Sequence, residues 1–133
     1  MYHFSNRSSE RLETCDQRIQ ILLRNLIREY DCSIICGHRG PLDQDNAYRT
    51  GNSKVQWPNS KHNDSPSKAV DIIPYPTMWD DINQFYLMAG HIQSIATRLD
   101  YEIRWGGDWD RDGELTDQTF MDLGHFEILG EPL

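Results

Sequence analysis

Over residues 10–30, Leu12, Cys15, Ile19, Leu22, Leu23, Leu26 and Ile27 recur at helical spacing among charged and amide side chains. The pattern predicts one amphipathic helix packed on a sheet, capped by Ser8 or Ser9 and ending near Asp31. A short β-branched run at 32–37 then reads as a strand. Residues 40–66 carry little periodicity and many Gly, Asn, Asp, Ser and Pro residues, which predicts a long loop region. Loops beyond about 15 residues in a compact domain are usually functional or disordered. Trp57 within this one argues for order, because a large aromatic ring packs or binds something.

Residues 68–73 predict a second strand, stopped by Pro74-Tyr75-Pro76. A second helix is expected over 79–100, where Ile82, Phe85, Leu87, Met88, Ile92, Ile95, Ala96 and Leu99 define a broad apolar face. Strands at 101–105 and 123–128 enclose an acidic loop. This order predicts an α+β fold, one domain over 1–133, with two main helices on one face of a mainly antiparallel sheet. The opposite face is left for a cleft. Strand alternation puts Ala69, Asp71 and Ile73 on one side, and turns His125 and Glu127 away from Phe126.

The candidate chemistry lies in Ser60-Lys61-His62-Asn63, Ala69-Val70-Asp71 and Asp122-Leu123-Gly124-His125. An aspartate flanked by apolar residues on a strand needs a partner, and two histidines could supply one. His62, Asp71 and His125 offer two nitrogens and an oxygen, a donor set that suits catalytic zinc with a fourth position open to water. Asp122, three residues before His125, is the candidate general base and acid. Glu127 is placed to orient an imidazole. Arg39, at the exit of the first strand, suits a carboxylate or a developing oxyanion, with a surface salt bridge as the simpler alternative.

These segments, with Gly37-His38-Arg39, Gln44, Ser53-Lys54, Trp57 and Trp105-Gly106-Gly107-Asp108-Trp109, resemble the zinc peptidases that cut peptidoglycan stem peptides. That family comprises D-alanyl-D-alanine carboxypeptidases and the L-alanyl-D-glutamate endopeptidases that phages use as endolysins, and the likeness is greater to the phage group. Asp122 stands where many relatives have Glu, and Gly124 where many have Pro. The resemblance implies a hedgehog-like zinc peptidase fold, Zn2+ as cofactor, Arg39 at the oxyanion, and a stem-peptide substrate whose cleavage lyses the host. Gln44 and Trp57 fall at positions that contact substrate or support the ligands. A D-alanyl-D-alanine carboxypeptidase with the same zinc chemistry is the nearest alternative. A calcium-binding or wall-binding module without catalysis is the alternative from another class.

Charge changes the picture in two places. With 21 acids against 13 bases the net charge is −8, which excludes phosphate-led nucleic-acid binding. Much of the excess is local: Asp108, Asp110, Asp112, Glu114 and Asp117 crowd the acidic loop. The alternating acids before Gly113 match the first half of an EF-hand loop, with Thr119 where the bidentate Glu is expected, so Ca2+ and calcium-dependent activity are expected there.

Cys15, Cys32 and Cys36 read as reduced core residues. His91 has no partner at ligand spacing and reads as structural. The first residues show no secretory signal and no apolar run approaches a bilayer span. A monomer is expected, without stable membrane association, reaching the wall from the host cytoplasm once the membrane is permeabilised.

Overall fold

A computed structural model describes residues 1–114 and 122–131. The helices are α1 (Asn6–Leu12), α2 (Gln17–Leu26), α3 (Pro41–Arg49) and α4 (Ile82–Arg98). The strands are β1 (Cys32–Cys36), β2 (Ala69–Pro74), β3 (Ile103–Gly106) and β4 (Asp122–Ile128). They form one antiparallel sheet in the order β1-β2-β4-β3, as the α+β expectation requires. Helix α4 lies across β2, β3 and β4, α2 packs on α4, and α1 packs on β1. Ile34, Val70, Ile72 and Phe126 meet Leu22, Leu26, Met88 and Ile92 in the core. Burial of such side chains, about 1.5–3 kcal/mol each, is what holds the helices on the sheet.

Two sequence expectations change. The single helix expected over 10–30 is two helices, broken at residues 13–16. Backbone groups there pair with the chain just before β2 instead: Asp16 N donates to Ser67 O (2.8 Å) and Ser67 N to Thr14 O (2.9 Å). The buried Asp16 restarts the helix by accepting from Arg18 N, and also receives the Arg18 guanidinium (3.0 Å) and Lys68 Nζ (2.9 Å). The second change is α3, which fills part of the expected loop. Pro41 opens it at a position where a missing N–H costs nothing, and only Gln44 is buried on it, so it leaves no apolar stripe to read.

Burial alone would raise the Asp16 carboxyl, but hydrogen bonds from Arg18 and Lys68 and the Arg18 charge hold it well below the usual carboxylate range. A depressed folded pKa contributes stability above the unfolded value of 3.8, and that contribution is lost as pH falls below it. Asp16→Ala should therefore cost about 2–4 kcal/mol at pH 7 through loss of a helix cap and of charge-assisted bonds. Urea unfolding at pH 7 and pH 3 should show the gap between wild type and variant narrowing at the lower pH. An equal gap at both would mean that the carboxylate charge is not what matters.

Candidate active site

His62 sits in a short 3-10 turn, Lys61–Asn63, whose start is closed by a capping box between Ser60 and Asn63. Its Nδ1 donates to the Gly37 carbonyl at 2.7 Å, so in the neutral imidazole the lone pair is on Nε2. Gly37 can take no side chain, because a Cβ would collide with Thr14 and the Arg11 carbonyl. On the sheet, Asp71 of β2 and His125 of β4 are direct cross-strand partners and so face the same side. His125 turns Nδ1 toward Asp71 and Nε2 toward Glu127 Oε1, 3.5 Å away.

The three donor atoms converge. His62 Nε2 to Asp71 Oδ1 is 3.1 Å, His125 Nδ1 to Asp71 Oδ1 is 2.9 Å, and His62 Nε2 to His125 Nδ1 is 3.3 Å. A tetrahedral centre with arms of about 2.0–2.1 Å has edges of about 3.3–3.4 Å, so a metal ion fits with shifts of a few tenths of an ångström. Both remaining imidazole nitrogens already face oxygen acceptors, the arrangement that fixes a ligating histidine.

The supporting residues are as specific as the donors. Arg39 Nη2 donates to Asp71 Oδ2 (3.2 Å) and Nη1 to Gln44 Oε1 (3.1 Å). Gln44, fully buried, also accepts from Asn63 Nδ2 and donates to Ser53 Oγ and Val55 O, so it ties α3, the histidine turn and the 53–55 loop together. Glu127 is gripped by Arg104 from β3 through contacts of 2.9–3.2 Å. The Trp109 ring lies 5.3 Å from that of His125, and the Arg104 guanidinium 5.5 Å over Trp109. Asp122 opens β4, its carboxylate within 4.8 Å of the donor atoms of Asp71 and His125. Gly106 makes that placement possible, since any Cβ there would strike the Asp122 carbonyl. Burial and the Asp71 charge push the Asp122 carboxyl above its ordinary range, which suits a group that must both take and give a proton.

A cavity of about 340 Å3 opens over these groups, lined among others by Lys54, Lys61, Arg104 and Trp109. Trp57, expected to contact substrate or support the ligands, is partly buried and does not line it. Sequence reasoning missed two residues beside the site, Arg104 and Cys36. Cys15 and Cys32 are core residues, but Cys36 is only partly buried, and its sulfur lies within 4.8 Å of donor atoms of both His62 and Asp71. These three form a candidate metal site by themselves. His91 meets Glu29 and Tyr30 and lines no part of the cavity.

In the acidic loop, carboxylate oxygens of Asp108, Asp110 and Asp112 lie within 4.8 Å of one another, while Asp117 and Thr119 fall outside the described residues. Asp108 accepts from Gly113 N and Asp112 from Glu114 N, so two of the acids serve the loop's own backbone. Acidic clusters of this kind are common without an ion. The loop is assigned none.

The sequence matches the family model described as phage L-alanyl-D-glutamate peptidase over residues 1–129. The chain belongs to that family. Membership makes it a peptidoglycan-cleaving endopeptidase. Its fold is that of the Serratia marcescens L-Ala D-Glu endopeptidase ChiX, with a TM-score of 0.77 at 22% identity over 96% of this chain and 90% of that one. No curated protein matches the chain. Among the described residues no helix is long and apolar enough to cross a membrane.

Without metal, this site holds protons. Burial would lower the His62 pKa, but the charge and hydrogen bond of Asp71 outweigh it and push it to about 10; His125 is raised for the same reason. Those protons must leave when a metal binds, so affinity should rise with pH until His62 is neutral, at about pH 10. Calorimetry at pH 7 in buffers of different ionisation enthalpy should show release of about one to two protons per metal bound. Release near zero would mean that the histidines are already neutral in the metal-free protein.

Proposed function

We propose that the chain is a zinc-dependent endopeptidase that hydrolyses the L-alanyl-D-glutamate bond of the peptidoglycan stem peptide, with host lysis as the result. One observation carries the reading: His62 Nε2, His125 Nδ1 and Asp71 Oδ1 meet at tetrahedral spacing beneath a cavity, with the Asp122 carboxylate beside them. His62, Asp71 and His125 would hold the ion, the mixed nitrogen and oxygen set that catalytic zinc prefers. When bound, zinc polarises the scissile carbonyl and brings the pKa of a water in the site to about 7.

The remaining steps belong to the chain. Asp122 takes the proton of the attacking water and passes it to the leaving amine nitrogen. Arg39 holds Asp71 in place and presents positive charge to the carbonyl oxygen as it becomes an oxyanion. Glu127, kept ionised by His125 and Arg104 against the opposing effect of burial, fixes the His125 ring. Lys54 and Lys61 bring positive charge to the cavity wall, where the carboxylates of a stem peptide would pass.

The test is mass spectrometry of purified peptidoglycan digested with zinc-loaded protein. Products with a new amino terminus on D-glutamate are expected; release of terminal D-alanine instead would make the enzyme a carboxypeptidase. Asp122→Asn should keep its zinc and lose at least about 100-fold in turnover. Near-normal turnover in that variant would move the base role to another carboxylate.

A further inference from the structure

Two cavities meet at the reacting groups. Arg39, Asn52, Asp71 and Asp122 border both the cavity described above and a second one of about 470 Å3. The residues that belong to one cavity alone differ in kind. Lys54, Lys61 and Arg104 line only the first. Ile35, Cys36, Gly51, Ile72, Trp79 and Gly124 line only the second, and among these described residues there is no acid or base pair to solvate. Two features build that apolar wall. The register of β1 against β2 shifts between Ile34 and Cys36, and the extra residue, Ile35, is left 37% exposed. Trp79 is 65% exposed although its ring stacks on that of buried Phe85, with centroids 6.3 Å apart and planes at 27°. The core thus holds the indole in place while most of the residue stays in water. Apolar surface presented in this way beside a cleft marks a place that a ligand covers.

The substrate has a matching asymmetry about its scissile bond. On the glutamate side the stem peptide carries free carboxylates. On the alanine side it is uncharged, because the alanine nitrogen is acylated by the lactyl group of N-acetylmuramic acid, whose ring offers C–H groups on its faces. One residue spans at most about 3.6 Å, so this sugar starts within about 10 Å of the reacting carbonyl. We propose that the second cavity binds the muramoyl side of the substrate, with Trp79 against the sugar, and that the lysine-lined cavity takes the glutamate side. The claim rests on the L-alanyl-D-glutamate cleavage proposed above and fixes the direction in which the chain lies across Asp71 and Asp122. Charge supports this direction: the reverse one would set the carboxylates against Ile35 and Trp79 and the uncharged sugar against Lys54 and Lys61.

The experiment compares two soluble substrates of the whole zinc-loaded chain, an N-acetylmuramoyl tetrapeptide and the same tetrapeptide with only an acetyl group on its alanine. Neither carries an ammonium beside the scissile bond, so they differ in the sugar alone. Wild type should cleave the muramoyl substrate with a kcat/KM roughly tenfold higher, the scale of one stacked ring. Trp79→Ala should bring the ratio of the two to about 1, and Trp79→Phe should keep part of it.

Equal kcat/KM for the two substrates in wild type overturns the proposal without any variant. A preference that survives Trp79→Ala overturns the role of Trp79. If Trp79→Ala instead alters the dependence on residues after D-glutamate, the substrate lies in the reverse direction and the proposal fails. Mass spectrometry of the products separates these failures from that of the underlying reading. Cleavage between alanine and glutamate without a sugar preference defeats the subsite alone, whereas cleavage only at another bond defeats the stem-peptide reading and the subsite with it.

Discussion

The carboxylate of Asp71 is the interaction on which the rest of this structure depends. It is carried by an interior strand and contacts two imidazoles and a guanidinium at once. Burial alone would raise its pKa, yet the His62 charge and the histidine hydrogen bonds hold it well below the usual carboxylate range. The arrangement is reciprocal, since the same carboxylate raises the pKa of both histidines. Two buried imidazoles and a half-buried carboxylate that would each be costly alone are mutually satisfied.

The fold places these groups through backbone as much as through side chains. Cross-strand pairing alone puts His125 opposite Asp71, and a carbonyl of the β1 exit fixes the His62 ring. Ser67, lying between the two ligands in sequence, is clamped to the break between α1 and α2. The helix break therefore has a function: it supplies free backbone groups to hold the segment that joins His62 to Asp71. A continuous helix would have spent those groups on itself. Gln44 does the comparable work on the other side, using both ends of its amide to bind Arg39 and the cavity rim.

What was legible in the sequence follows from the range of each signal. Asp71, His125 and Glu127 lie on strands, where a period of two tells which side chains share a face, and Asp122 and His62 have distinctive neighbours. The four-stranded antiparallel sheet and the core of α2 and α4 are likewise written in local periodicity. The misses are long-range. Arg104 clamps Glu127 through sheet register between segments 23 residues apart, which no local pattern encodes. Cys36 looks like a core residue because alternation assumes an unbroken ladder, and the bulge at Ile35 inverts it. Helix α3 was hidden because it buries only Gln44, and the break before Asp16 because Leu12 and Ile19 keep helical spacing across it.

The central claim is that one ion sits where His62, Asp71 and His125 converge. Anomalous diffraction from crystals of zinc-loaded protein, recorded on both sides of the zinc edge, tests it directly. The account predicts a single strong peak about 2.0–2.2 Å from His62 Nε2, His125 Nδ1 and an Asp71 carboxylate oxygen. A peak confined to the Asp108, Asp110 and Asp112 loop, or no peak between the histidines in protein that still cleaves peptidoglycan, would contradict it.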